Sequence, residues 1–371
     1  MTIPLSSPDI TESEIDAVTA VLRTSRLSLG PQMEAFEHAM ADYIGVPHAV
    51  AVSSGTAGLH LCVRALGIGE GDEVIVPSFT FIAAANVIRY ERAHPVFVDI
   101  DAESLNMSPA SIERAITPKT RAILVVHTFG RPAEMTAIME IARRHQLLII
   151  EDACEAIGAT YQGRKAGSFG DVAVFGFYPN KQITTGEGGM VVTGRPELAD
   201  RIRALRNQGR YDNADWLQHA EVGYNYRLSE INCALGLAQL DRIEAILQQR
   251  ENVARQYQQT LAALPSLVLP TIDVPGTRIS WFVYVVRLDT SFAEEDRDRV
   301  VAALTNAGIG CGRYFAPIHL QPSYAAWRSS SALPVTEAQA SRAIALPFFN
   351  RITEDEIAQV SDTLRTALLP L

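Results

Sequence analysis

Short apolar runs and amphipathic stretches alternate along most of this chain. β-Rich apolar runs stand at Ala49–Val52, Glu73–Val76, Pro95–Val98, Ala122–Val126 and Leu147–Ile150. Each is too short for a helix and lacks a polar alternate face, which predicts strands buried on both sides. Between them, helical spacing covers Ala57–Leu66, Ala83–Tyr90, Ser108–Ile116 and Met135–His145. This rhythm predicts an α/β fold, a mostly parallel sheet sandwiched by helices, with ligands at the carboxyl ends of its strands.

Ahead of the rhythm lie a helix over Thr11–Leu22, with Thr11 as N-cap, and a polar loop over Ser25–Pro31. A second helix spans Gln32–Tyr43 and ends at Gly45. Beyond it, Leu228–Gln258 reads as one long amphipathic helix, with Leu235, Leu240, Ile243 and Leu247 on one side. Pro265 and Pro270 punctuate its end. Trp281–Leu288 then reads as a strand, and Ala293–Asn306 and Glu354–Leu368 as helices. The expected organisation is a large α/β domain over 1–245, including the N-terminal helical segment, and a smaller C-terminal α+β domain over 246–371.

Composition narrows the class. The 371 residues are 47% hydrophobic and 20% charged, ordinary for a globular enzyme. A net charge of −10 argues against non-specific nucleic-acid binding, which needs a basic surface. Cys62, Cys154, Cys233 and Cys311 are scattered, so neither a zinc site nor a disulfide framework is expected. The N-terminus lacks a basic region followed by an apolar core, and no apolar run approaches the ~18 residues of a membrane span. The expectation is a soluble cytoplasmic protein without metal.

The chemistry centres on Phe175–Met190, FGFYPNKQITTGEGGM. A short apolar run, Asp171–Phe177, breaks at Pro179. Lys181 follows, then Thr184, Thr185 and the glycines Gly186, Gly188 and Gly189, before a second apolar run, Met190–Val192. A lysine at the mouth of a buried sheet is partly desolvated, which frees its amine for Schiff-base chemistry. Ser53-Ser54-Gly55-Thr56 joins a strand to a helix, where unpaired N–H groups suit a phosphate; a merely capped turn would read the same. Glu151-Asp152 ends the most apolar strand. An acid there either caps a turn or keeps a pyridinium nitrogen protonated. Together, the phosphate turn, the acid and the lysine suggest pyridoxal phosphate (PLP).

At these residues the chain resembles a family. GDEVIVPSFTFIAAANVI, FVDID, EDACEAIGA, FGFYPNKQITTGEGGM and GYNYRLSEINCALGLAQL are similar to the ordered motifs of the DegT/StrS-type nucleotide-sugar aminotransferases. The likeness runs from about Pro4 to the final helix. It implies the aspartate aminotransferase type of fold (type I among PLP-dependent transferases) and a homodimer with shared active sites. It also implies amino transfer from L-glutamate, released as 2-oxoglutarate, to a keto-sugar nucleotide. By position, Lys181 matches the lysine of the internal aldimine and Asp152 the acid on the pyridine nitrogen. Gly55 and Thr56 match the phosphate turn, and Phe81 the ring that stacks on the cofactor. Asn225 matches the residue that reaches the partner's phosphate. Glu155 stands where the family often has glutamine near the ring oxygen, and His319 in a segment near the substrate cleft. Gly176 departs from the usual serine.

ITTGEGG after the lysine resembles enzymes acting at sugar C4, so a 4-keto-6-deoxy sugar is the expected acceptor; C3 enzymes more often carry a GDAG-like ending. Amination of a ketocyclitol uses the same machinery. A non-catalytic PLP-holding regulator is the reading from another class, against which the intact Lys181 and Asp152 stand.

Overall fold

The apolar runs assemble into one seven-stranded sheet in the computed structural model, which describes residues 2–211, 215, 217–327 and 332–369. The strands are β1 (His48–Val52), β2 (Glu73–Pro77), β3 (His94–Val98), β4 (Thr120–Val126), β5 (Leu148–Asp152), β6 (Val172–Gly176) and β7 (Gly189–Thr193). They lie in the order β1–β7–β6–β5–β4–β2–β3. Every neighbouring pair from β6 to β3 is parallel. Only β7 runs the other way, antiparallel to both β1 and β6. The cause is local: the loop from β6 to β7 contains no crossover helix, so the chain turns back beside the strand it has just left.

Period-two alternation decides which side chains go to which face. Val50, Val52, Val74, Val76, Leu124, Val126, Val174 and Val191 share one core with Leu59, Val63, Val87 and Ile202. These partners come from the helices Gly55–Ala65, Ala83–Tyr90 and Pro196–Arg206. On the opposite face, Ala51, Phe175, Met190 and Val192 meet Phe36 and Met40. Ile75, Ile123 and Ile149 meet Ile112, Ile138 and Ile141 there. Both faces are covered, as the continuous apolar runs require.

Thr11 caps the helix Glu12–Leu22 in a reciprocal box, its backbone N–H donating to Glu14 Oε2 at 2.7 Å. The stretch expected as one helix over Leu228–Gln258 is instead two, Glu230–Asp241 and Ile243–Leu261. They break at Arg242, whose guanidinium donates to Glu14 Oε1 (2.9 Å) and to the Asp9 carbonyl (3.0 Å). A long-range ion pair sets that break, which helical periodicity cannot reveal. The strand expected over Trp281–Leu288 forms only over Tyr284–Leu288.

The C-terminal part builds its own core. A three-stranded sheet of Leu267–Val268, Tyr284–Leu288 and Ala343–Leu346 packs under Ile243–Leu261, Glu294–Asn306 and Glu354–Leu368. Tyr257, Tyr284, Val300, Leu304, Phe348 and Val360 fill it. The expected boundary at 245/246 falls inside the helix Ile243–Leu261. Among the described residues no helix is long and apolar enough to cross a membrane, and no cluster of His, Cys, Asp or Glu could hold a metal.

Candidate active site

Because β1, β5 and β6 run parallel, all three end on the same side of the sheet. Val52, Gly189 and Gly176 stand in register across β1, β7 and β6. Asp152 stands opposite Val174 in the next pairing. Pairing register therefore gathers three segments that are far apart in sequence.

From β1 the chain enters the helix Gly55–Ala65 through Ser53 and Ser54. Ser54 Oγ accepts the Ala57 N–H at 3.0 Å. The N–H groups of Gly55 and Thr56, at the first two helical positions, have no acceptor within the helix. This turn lies directly on Gly189: a Cβ there would stand 2.7 Å from the Ser54 carbonyl carbon and 2.8 Å from the Gly55 nitrogen. Only glycine allows β7 to approach so closely.

At the end of β5, Glu151 and Asp152 point to opposite faces and do different work. Glu151 is fully buried. It accepts from His127 Nε2 (2.9 Å) and from the N–H groups of Gly167 (2.8 Å), Phe169 (2.7 Å) and Gly170 (2.6 Å). Burial alone would raise its carboxyl, but the His127 hydrogen bond and the backbone donors outweigh it and hold the group below the usual range. His127 Nδ1 accepts the Ala133 N–H at 3.1 Å, so the imidazole proton lies on Nε2. Asp152 is buried, and its Oδ1 accepts the Cys154 N–H at 3.1 Å. The same carboxylate faces the Cys154 thiol.

Lys181 lies beyond β6. Its Nζ is 3.4 Å from Glu155 Oε1 and 3.8 Å from the centroid of the Phe282 ring. Burial raises the Glu155 carboxyl, and the Lys181 ammonium and the Phe129 N–H, which donates to Oε2 at 2.9 Å, offset part of that rise. Gln182 braces the pair by donating to the Glu155 carbonyl (2.6 Å) and to Ser280 Oγ (2.8 Å). Phe282 in turn stacks on Tyr314 at 6.3 Å, and Phe129 stacks on Phe315 at 5.3 Å.

The structure thus brings Lys181 and Glu155 into contact and places Asp152 and the Gly55–Thr56 turn on the same sheet edge. Phe81 is 61% exposed. Asn225 is exposed, in a loop pinned by hydrogen bonds from Ser53 N–H to the Tyr226 carbonyl (2.8 Å) and from Tyr226 N–H to Arg206 (3.0 Å). His319 is buried, bonded through Nδ1 to Ser78 Oγ at 2.6 Å, with Nε2 3.3 Å from Glu337. Phe282, Phe129 and Gln182 were not singled out from the sequence. Phe282 lies about a hundred positions from the lysine in an apolar run, and no local signal marks it.

These donors fit pyridoxal phosphate. Lys181 offers an amine, Asp152 a buried carboxylate able to accept a pyridinium N–H, and the glycine-walled helix start two N–H groups for a phosphate. A family model for the DegT/DnrJ/EryC1/StrS aminotransferase family matches residues 8–365. A GDP-perosamine synthase of Caulobacter vibrioides is 43% identical over 369 residues, 99% of this chain and 98% of that protein. Among solved structures, DesV of S. venezuelae superposes with a TM-score of 0.91 at 38% identity, covering 99% of both chains. A sugar aminotransferase assigned in Streptococcus pneumoniae, in its PLP form, gives 0.93 at 28% identity over 99% of this chain and 98% of that one. Fold and likeness together define a PLP-dependent aminotransferase. More particularly, the chain belongs to the DegT/DnrJ/EryC1/StrS aminotransferase family.

Proposed function

We propose that this enzyme moves the amino group of L-glutamate to C4 of a 4-keto-6-deoxy sugar nucleotide, releasing 2-oxoglutarate. The observation that carries the reading is the convergence of Lys181, Asp152 and the Gly55–Thr56 turn at one edge of the sheet. When bound, pyridoxal phosphate supplies an aldehyde for amines and a ring that accepts electrons. Asp152 keeps the ring nitrogen protonated, and Gly55 and Thr56 hold the phosphate. Phe81 covers the ring face. Lys181 Nζ would carry the α-proton of glutamate, with Glu155 beside it and His319 in a segment near the substrate cleft. Residues 1–245 form the cofactor-binding domain and 246–371 the smaller one, a division supported by the cluster that Val253, Tyr257, Tyr284, Val300, Leu304 and Val360 form largely within the C-terminal part. The enzyme works as a cytoplasmic homodimer in which Asn225 serves the partner's phosphate. The relative named for a GDP-sugar makes a GDP-linked 4-keto-6-deoxy sugar the first acceptor to test.

Reduction of the yellow holoenzyme with borohydride, followed by peptide mass mapping, should place the cofactor on Lys181. An adduct on another lysine refutes the site. With glutamate as donor, NMR of the product should show nitrogen at C4; nitrogen at C3, or no transfer to any nucleotide sugar, refutes the substrate.

A further inference from the structure

The wall between the phosphate turn and the end of β6 contains no side chain from either. A Cβ on Gly55 would stand 2.9 Å from Cys154 Sγ and 3.4 Å from the Gly176 Cα. A Cβ on Gly176 would stand 3.2 Å from the same sulfur and 3.3 Å from Cys154 Cβ. One sulfur therefore fills the space that side chains at both glycines would need. Cys154 is also tied to the acid: its N–H donates to Asp152 Oδ1, and its thiol leans on the Val174 carbonyl at 3.7 Å.

We propose that Cys154 is a positioning residue of the cofactor site, its sulfur setting the spacing between the Gly55 turn and the β6 end and requiring glycine at both 55 and 176. The proposal rests on the PLP reading above. Burial, with the Asp152 charge, pushes the thiol well above its usual range, so it acts as a neutral spacer that does not repel a phosphate dianion. It accounts for Gly176, where a serine would offer the phosphate a hydroxyl: serine at 176 and cysteine at 154 compete for the same volume. Through its backbone N–H the same residue orients Asp152, so both ends of the cofactor are referred to one residue.

The test is a coupling experiment on cofactor affinity. Apoenzymes of the wild type, Cys154→Ala, Cys154→Val, Gly176→Ser and Cys154→Ala/Gly176→Ser are titrated with pyridoxal phosphate and followed by absorbance. Melting of each apoenzyme serves as the folding control. Cys154→Ala alone, which removes the sulfur that sets the spacing, should weaken binding about three- to tenfold. Gly176→Ser and Cys154→Val, which overpack the gap, should each weaken it about tenfold or more. The double variant should return to within about threefold of the wild type, since serine then occupies the vacated space. A residue of merely structural importance would lower the apoenzyme melting temperature without this compensation in affinity. Wild-type affinity in Gly176→Ser alone, or a double variant equal to the product of the singles, overturns the proposal. If Gly176→Ser alone does not fold, a double variant that folds and binds supports it, and one that fails overturns it. A wild type that does not take up the cofactor removes the underlying reading as well, whereas a binding wild type with additive variants removes only the role of Cys154.

Discussion

Replacing Glu151 with glutamine tests how the strand end that carries Asp152 is held. Each Glu151 oxygen accepts two hydrogen bonds: Oε1 from Phe169 and Gly170, Oε2 from Gly167 and His127 Nε2. In the amide, one oxygen becomes an NH2 group, which then faces two donors. Rotating the amide exchanges which pair is orphaned but cannot satisfy both. His127 cannot rescue it by moving its proton, because Nδ1 already accepts from Ala133. Two buried donors left unpaired cost about 1–3 kcal/mol each, so the expected loss is ~4 kcal/mol. At ~2.1 cal/mol/K per residue, the unfolding entropy of 371 residues is ~0.8 kcal/mol/K, and the melting temperature should fall by about 5 °C.

The pH dependence adds a second constraint. The folded carboxyl lies below its unfolded value of about 4.3, so its contribution is complete above that pH and is lost as pH falls through the folded value. The gap between wild type and Glu151→Gln should therefore be widest near neutrality and should narrow in acid. Scanning calorimetry of the two apoenzymes at several pH values measures both effects. A difference under about 1 °C at neutral pH, or one that grows as pH falls, refutes the reasoning.

Asp152→Asn should fold normally, since its carbonyl can still accept the Cys154 N–H, yet lose about a hundredfold or more in turnover because an amide cannot keep a pyridine nitrogen protonated; near wild-type glutamate half-reaction rates would refute this. Asn225→Ala should weaken cofactor binding about tenfold or more through loss of a charge-assisted bond worth ~1.5–3 kcal/mol. Mixing it with Lys181→Ala subunits should partly restore activity at low cofactor, and proven heterodimers without recovery would show that Asn225 does not serve the partner. Gly130→Ala should cost at least ~3 kcal/mol in urea unfolding. Its φ is +86°, and the added Cβ would lie 1.7 Å from the Ser280 carbonyl oxygen.

Much of the protein was legible in the chain because its information is local. Continuous apolar runs predicted strands covered on both faces, and the strands form within a residue or two of those runs. The lysine after β6, the acid after β5 and the glycine turn after β1 each sit at the end of a short apolar segment. The rule for parallel sheets then places all three on one edge. Their particular roles, and those of Phe81, Asn225 and His319, came from motif likeness rather than from pattern.

What only the tertiary structure decided depends on contacts between distant segments. Glu155 meets Lys181 because β5 and β6 are neighbours, and Phe282 joins them from a cluster it shares with Phe79 and Phe129. Arg242 ends one helix and starts another because Glu14 and Asp9, more than two hundred residues earlier, hold its guanidinium. The absence of a side chain at Gly176 becomes intelligible only beside the sulfur of Cys154. Periodicity reports which face of an element is buried, because burial repeats with the backbone. Which residue stands opposite depends on sheet order and register, and no window of sequence contains both partners.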